Sequence, residues 1–153
     1  MYGELSAEEI EDVLKNQLLG RIGCHLNDMT YIVPICYAYD GECVYARTYE
    51  GMKIKMMREN PKVCFQVEYI ENMVNWKTVV CQGEYEELTD TNKRHKGTQI
   101  LHERVLPLIA NKTLQLSPHW PFSSIDPDNI KGIIFCIHLR EKTGRFEKEY
   151  QQW

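Results

Sequence analysis

Short runs of β-branched and aromatic residues recur between turn signals along most of this 153-residue chain, and this pattern constrains the fold most. Runs of about 5–10 such residues, bounded by glycine, proline, asparagine or aspartate, are typical of β-strands. Asp40-Gly41 is a strong hairpin signal, and Asn27-Asp28 marks a second turn. The predicted strands cover residues 21–26, 30–39, 42–47, 62–69, 77–88 and 132–139.

Six antiparallel strands of this length favour a small barrel, closed or half-closed, because closure removes exposed strand edges. We expect the first three strands to form a meander. The run Val63-Cys64-Phe65-Gln66-Val67 predicts a strand that is buried on both faces. Because no linker or shift in composition divides the chain, we expect a mainly β fold in a single domain over residues 1–153.

Helices are predicted between and after the strands, over residues 7–18, over residues 51–59, and from the cap at Thr89-Asp90 to Asn111. The first begins with a capping box, in which Ser6 precedes Glu9 by three residues. The second stops at Asn60-Pro61, because the residue before a proline avoids the helical region. Three prolines between residues 116 and 129 predict an irregular loop there.

Charge and cysteine content exclude several classes of function. With 18 basic and 22 acidic residues the net charge is −4, which predicts no nucleic-acid partner. No apolar run approaches the ~20 residues that span a bilayer, so we expect no membrane association and a cytoplasmic protein. The six cysteines form no CxxC pair and lie mostly in strand-like runs, which favours core thiols. We predict no metal site.

A phosphate site is predicted at the start of the second helix. Lys53 follows Gly51 there, so an ammonium group, open backbone N–H groups and the positive end of the helix would converge on one anion. Arg47 and Thr48, just before the turn, add a guanidinium group and a hydroxyl group. The alternative is an ordinary surface lysine in a first helical turn.

Two strands offer a surface for a flat ring. Pro34 interrupts a strand and leaves backbone groups of Ile35 and Cys36 free to address a ring edge, although a plain edge-strand proline is the alternative. Trp76 and Thr78 open a later strand, where an indole and a hydroxyl group suit a conjugated ring and its polar edge. An aromatic plug that closes the barrel end explains the tryptophan equally well.

These segments occur in a fixed order: Gly20-Arg21-Ile22, residues 31–39, Val44-Tyr45-Ala46-Arg47-Thr48, Glu50-Gly51-Met52-Lys53 and residues 60–65. The set resembles the pyridoxamine 5′-phosphate oxidase-related family of FMN-binding split barrels, nearest the branch of the nitroimidazole-resistance reductases. The resemblance implies a six-stranded antiparallel split β-barrel with helices packed outside, and a homodimer with FMN at each subunit interface.

By position, the resemblance assigns Lys53 and Arg47 to the FMN phosphate. Residues 34–37, which are Pro34, Ile35, Cys36 and Tyr37, would line the isoalloxazine ring. Trp76, Thr78 and a basic residue near the C-terminus, Arg145, would complete the site.

The chain departs from its relatives at two places. Ala46 stands where the nitroimidazole-resistance branch commonly has a histidine, and the basic C-terminal signature of true pyridoxamine phosphate oxidases is not evident. From the resemblance as a whole we expect an FMN-dependent oxidoreductase. It would take electrons from NAD(P)H or another donor and reduce small electron-poor aromatic or quinone-like acceptors. No catalytic side chain is assigned. The alternatives are a flavin-storage protein without turnover and a haem-handling split barrel.

Overall fold

The computed structural model describes residues 1–110 and 131–150, which form strands and three helices. The strands are β1 (Tyr2–Glu4), β2 (Leu19–Leu26), β3 (Met29–Cys36), β4 (Ala38–Tyr39), β5 (Cys43–Thr48), β6 (Lys62–Asn72), β7 (Asn75–Glu87) and β8 (Ile133–Glu147). The helices are α1 (Ala7–Asn16), α2 (Met52–Glu59) and α3 (Thr91–Ala110). The loop predicted over residues 116–129 lies outside the described residues.

All strands belong to one antiparallel sheet in the order β3-β2-β6-β7-β8-β5-β4, with β1 added on β8. The prediction of a mainly β, antiparallel fold is confirmed. Within the described residues no ladder joins the end strand β3 to β4 or β5, although β3 and β5 contact each other. The sheet is therefore open between β3 at one end of the order and β4 and β5 at the other, as in a split barrel.

Both hairpins of the predicted meander are present, since β2 pairs with β3 and β4 pairs with β5. The meander is not continuous, however, because β3 and β4 lie at opposite ends of the sheet order. The strand predicted over residues 30–39 is divided at Tyr37, whose backbone N–H donates to the carbonyl of Leu18 (3.1 Å). The last strand runs to Glu147 instead of ending at residue 139, and it pairs with β1, β5 and β7.

Side chains alternate between a buried inner face and an exposed outer face of the sheet. On β6, Val63, Phe65 and Val67 are buried, whereas Cys64 and Gln66 are only half-buried. The prediction that this run is buried on both faces is therefore wrong, because one face of β6 lies on the outside of the sheet.

Helices α1 and α2 pack apolar side chains into the main core, and α3 buries Leu101 in a second cluster with Tyr45 and Ile134. The capping box of α1 is present, since Ser6 N–H donates to Glu9 Oε2 (3.0 Å) and Glu9 N–H donates to Ser6 Oγ (3.2 Å). No helix among the described residues is long and apolar enough to cross a membrane.

Candidate functional site

The end of β5 presents a fixed guanidinium group. The ring of Tyr49 lies 4.6 Å from Arg47 Cζ, and Arg47 Nη2 donates to the Tyr49 hydroxyl (2.8 Å). Arg47 Nε donates to the backbone carbonyl of Lys131, and the hydroxyl of Thr48 donates to the carbonyl of Tyr49 (3.3 Å). Stacking and hydrogen bonding thus hold Arg47 in place, while Nη1 has no hydrogen bond or ion pair with the described residues.

Lys53 lies in the first turn of α2, and its side chain is half-buried. Among the described residues its ammonium group has no hydrogen-bond or ion-pair partner. The group that interacts with it electrostatically is the thiol of Cys24 on β2. Burial lowers the pKa of Lys53, because surrounding protein atoms replace water and no anion compensates. Such an ammonium group is favourably placed to accept an anion.

The helix start beside Lys53 is also open. Gly51 is the N-cap of α2 and supplies no side-chain hydrogen bond to the helix. The first N–H groups of a helix have no partner within the helix, and together they carry partial positive charge. The backbone of this turn, from which the Lys53 side chain extends, therefore favours negative charge as the ammonium group does.

The four predicted residues of the β3 region point to opposite faces of the sheet. Pro34 and Cys36 are exposed, whereas Ile35 and Tyr37 are buried. The Tyr37 hydroxyl donates to the carbonyl of Leu14 (2.7 Å), and its ring packs edge-on against Phe65 in the core. If residues 34–37 line the ring as the resemblance implies, Ile35 and Tyr37 would meet it only through their backbone groups, because successive side chains of an extended chain alternate in direction. Pro34 lies on an end strand, where it is tolerated.

A polar row crosses the outer face of the sheet from Pro34 to Thr78. Arg21 is the register partner of both Pro34 and Gln66. Arg21 Nη1 donates to Glu68 Oε1 (2.5 Å), and Gln66 Nε2 donates to the hydroxyl of Thr78 (3.0 Å). Arg21, Gln66 and Glu68 could not be predicted for this row, because their strands pair across more than forty residues of chain. The local signal on β6 is the alternation of Gln66 and Glu68 with buried Phe65 and Val67.

Trp76 and Arg145 lie further along the same outer face. Trp76 Nε1 donates to Glu147 Oε2 (3.1 Å), and Arg145, the register partner of Thr78, donates to Glu4. Trp76 lines a cavity of about 330 Å³. The other residues around this cavity are Met1, Glu9, Tyr69, Glu71, Asn75, Lys77, Phe146, Glu147 and Lys148.

Within one chain, the residues predicted for a single cofactor fall into two separate groups. Arg47 pairs with Ile134 and Thr78 pairs with Arg145, so eleven residues of β8 separate the two groups. At ~3.3 Å per residue this is about 35 Å of strand. Arg47 and Thr48 at one end of this span therefore form one group, and Trp76, Thr78 and Arg145 at its other end form another. Lys53 follows Thr48 by five residues and is nearer to the first group along the chain.

Ala46 is fully buried in the main core. Its methyl group therefore faces the inside of the sheet and not a ligand surface of this chain.

An open antiparallel sheet with helices packed against it is the architecture of a split-barrel protein. Residues 6–133 match the family described as pyridoxamine 5′-phosphate oxidase, and the chain belongs to this family. The suspected resemblance is thereby confirmed.

The chain is 36% identical to the uncharacterized protein RA0666 of Rhizobium meliloti (strain 1021), over 92% of each chain. Among solved structures it is similar to a FAD-binding protein of Mesorhizobium loti, with a TM-score of 0.72, 30% identity, and coverage of 97% of this chain and 99% of the other. It also shares its fold with a candidate 5-nitroimidazole antibiotic resistance protein of Bacteroides thetaiotaomicron, with a TM-score of 0.71, 16% identity, and coverage of 95% and 87%.

Proposed function

We propose that this protein binds a flavin, as FMN, and works as an oxidoreductase with a small electron acceptor. The observation that carries the proposal is the half-buried Lys53 ammonium group, which has no partner among the described residues and lies at an uncapped helix start. A terminal phosphate would remove the unfavourable free energy of this isolated charge. The kinship with the pyridoxamine 5′-phosphate oxidase family and with a FAD-binding relative supports a flavin as the source of that phosphate.

The residues around Lys53 suit a phosphate monoester. Arg47 is held by Tyr49 and its Nη1 has no hydrogen-bond partner among the described residues, and Thr48 supplies a hydroxyl group next to it in the chain. Hydrogen bonds between charged groups are short and about twice as strong as neutral ones. In the proposed complex, Lys53 and Arg47 neutralise the phosphate, and the first N–H groups of α2 orient it.

FMN is the form of flavin that this site favours. One ammonium group and one helix start match one terminal phosphate, and the chain lacks the GxGxxG turn that binds a dinucleotide pyrophosphate. The relative from Mesorhizobium loti is described as FAD-binding, so the identity of the flavin is the first quantity to measure.

We propose a homodimer in which each flavin contacts both subunits. Lys53, Arg47 and Thr48 of one chain would hold the phosphate. Trp76, Thr78 and Arg145 of the partner subunit would approach the ring, because they lie about 35 Å away along β8 within one chain.

The outer face of the sheet supports this assembly. Leu19, Ile32 and Ile70 are 50%, 64% and 64% exposed on that face, and Val80 lies among them. These apolar side chains lie among the polar residues of the row from Pro34 to Thr78, and a second copy packed on this face would remove them from water. Burial of this face would be sufficient for a stable dimer if the interface reaches the ~2,000 Å² of obligate pairs.

The bound flavin would supply the electron transfer, and the chain would supply binding and orientation. Exposed Pro34 and Cys36 would support the ring, and the hydroxyl of Thr78 would bond its polar edge. We assign no side chain as an acid or base. NADH or NADPH is the proposed donor, quinones and nitroaromatics are the proposed acceptors, and the cytoplasm is the proposed compartment.

The test begins with the colour and mass of the bound cofactor. The purified protein, reconstituted with excess FMN and FAD in separate samples, should retain FMN at one per chain, as measured by absorbance and by mass after denaturation. Preferential retention of FAD would refute the choice of FMN, and retention of neither flavin would refute the flavin site. A Soret band would indicate haem instead.

The second test addresses turnover. Bleaching of the flavin by NADH or NADPH, followed by steady-state reduction of quinones and nitroaromatics, is expected of an oxidoreductase. Stable binding without turnover would indicate a storage protein. Efficient oxidation of pyridoxine phosphate alone would contradict the proposed acceptor class.

A further inference from the structure

A cluster of two cysteines and one histidine lies away from the candidate flavin site, at the junction of β5, β8 and α3. Cys43 begins β5, and Cys136 and His138 lie on β8. Cys43 Sγ is 3.3 Å from His138 Nδ1, and Cys136 Sγ is 3.5 Å from His138 Nε2. One ligand atom from each residue lies within 4.8 Å of the others. Both thiols are buried, and the imidazole is exposed.

The strand register argues against a disulfide between the two cysteines. Cys43 pairs with His138, and Cys136 pairs with Tyr45, so the cysteines are diagonal neighbours on adjacent strands. Diagonal neighbours in an antiparallel pair are ~7–8 Å apart, whereas disulfide-bonded residues have Cα atoms ~4.4–6.8 Å apart. The two thiols therefore converge without the backbone geometry that a bond between them requires.

We propose that Cys43, Cys136 and His138 bind a thiolate-preferring divalent ion of the Zn²⁺ class. Zinc is coordinated by sulfur at ~2.3 Å and by nitrogen at ~2.0–2.1 Å, and tetrahedral angles at these lengths place sulfur and nitrogen about 3.5 Å apart. The 3.3 Å between Cys43 Sγ and His138 Nδ1 is close to this value. A small rotation of the exposed imidazole would leave one ring nitrogen at the ion.

Glu86 on β7 flanks the cluster but lies outside its group of mutually close ligand atoms, so it would become the fourth ligand only after its side chain turns toward the ion. It is the register partner of Cys136, and its Oε1 lies 3.8 Å from His138 Nε2. Two thiolates and one carboxylate around a divalent ion leave a charge of minus one. Lys93 lies 3.4 Å from Glu86, and Lys96 lines the same cavity of about 200 Å³, so nearby positive charge would offset it. This cavity also gives the ion a route from solvent.

Without an ion, burial raises the pKa of Cys43 and raises the pKa of Cys136 to about 12, so both thiols are protonated. Binding would release both protons to solvent and leave two thiolates on the ion. The bound ion would join β5 to β8, and it would lie at the opposite end of β5 from Arg47.

The sequence analysis predicted no metal site because Cys43 and His138 are ninety-five residues apart. A cysteine two positions before a histidine, as in Cys136-Ile137-His138, was the available signal. In a strand this spacing directs both side chains to one face.

The test uses the full-length, tag-free, reduced protein and titration with Co²⁺, followed by displacement with Zn²⁺. We expect one Co²⁺ per chain, with the intense thiolate charge-transfer absorption and the visible bands of a tetrahedral complex. A spectrum of hexahydrated Co²⁺ without charge transfer would overturn the proposal. So would an intact mass two hydrogens below that of the reduced chain, because it would indicate a disulfide.

Two variants and a matched control separate a site from general thiol chemistry. His138→Asn changes an exposed side chain, and Cys136→Ser removes a buried thiol. Each should weaken Zn²⁺ binding by at least ~100-fold, since the loss of a ligand costs at least as much as the 10–100-fold typical of outer-shell residues. Cys64→Ser, a half-buried thiol on β6, should leave the affinity unchanged. Equal affinities for His138→Asn and the unmodified protein would refute the site, even if Cys136→Ser fails to fold.

Discussion

Replacement of Lys53 by alanine is the most direct test of the proposed phosphate site. In the absence of ligand, the Lys53 ammonium group is half-buried and has no partner among the described residues. Alanine therefore removes no hydrogen bond from the folded chain, and it is a good helix former at this position in α2. The fold should remain intact while the affinity for FMN falls.

The expected loss of affinity follows from the contact that Lys53 would make. A hydrogen bond to a charged group contributes about 1.5–3 kcal/mol. Since 1.4 kcal/mol corresponds to a factor of ten, the Kd for FMN should rise ~10- to 150-fold. The loss should become smaller at high salt if the ammonium and phosphate are partly exposed, because salt screens their attraction.

The same substitution should leave the ligand-free protein as stable as before, or more stable. The pKa of Lys53 is lowered in the folded chain from its ordinary 10.5, so the unfolded chain binds the proton more tightly. The contribution of Lys53 to the free energy of unfolding therefore rises as the pH increases through the range between the lowered value and 10.5. Below the lowered value the penalty is fully present, and alanine removes it.

Fluorescence titration of the apo-protein with FMN and thermal unfolding at pH 7 measure both effects. Lys55→Ala is the matched control, because Lys55 is an exposed lysine of the same helix. An unchanged Kd for Lys53→Ala, or equal losses for both variants, would remove Lys53 from the phosphate site.

Three further predictions concern assembly and stability. Ile32→Asp on the exposed outer face should convert the dimer to a folded monomer that binds FMN weakly, and a dimer in sedimentation velocity would show that this face is not the interface. Gly83→Ala should lower the free energy of unfolding by about 1–3 kcal/mol in denaturant titration, because its Cβ would lie 2.6 Å from Ile137 Cγ2; no loss would mean that the core relaxes. Burial raises the pKa of Glu11, but hydrogen bonds from Lys142 on β8 and Tyr39 on β4 bring it below its ordinary 4.5. Its stabilisation should thus be present above pH 4.5 and lost as the pH falls through the lowered value, and Glu11→Gln should remove this part of the acid dependence.

Local signals predicted much of the secondary structure. The Ser6–Glu9 capping box and the stop at Asn60-Pro61 fix the start of α1 and the end of α2, because both depend on neighbouring backbone groups. Asn27 and Asp28 adopt φ of 50° and 61°, the left-handed values that suit a tight hairpin. The turn, like the caps, is determined within a few residues.

Strand pairing could not be predicted in the same way. β2 lies between β3 and β6, and β8 lies between β5 and β7, so most neighbours in the sheet are distant in sequence. A meander is the simplest assumption when only local signals are available, but the burial of inner-face residues such as Phe65 and Ile137 determines the real order.

The candidate site, like the fold, could be predicted only where its residues are close in sequence. The motif around Lys53 is local, and the structure agrees that its ammonium group is available to an anion. The direction of Tyr37 was missed although the two-residue period of an extended chain predicts it, since Ile35 and Tyr37 must face away from Pro34 and Cys36. The contact of Arg21 with Glu68 depends on the pairing of β2 with β6, which no local pattern shows.

Arg58 holds the turn before Lys53 in place through its hydrogen bonds to Glu50. This guanidinium group donates to both carboxylate oxygens of Glu50 (2.7 and 3.1 Å) and to both of Glu87 (2.8 and 2.9 Å). Together with the stacking of Arg47 on Tyr49, these bonds hold the turn in one conformation before any ligand arrives. A preorganised site loses little conformational entropy on binding. Flavin association should therefore follow a single kinetic phase at a rate set by encounter, without a slower loop-closing step.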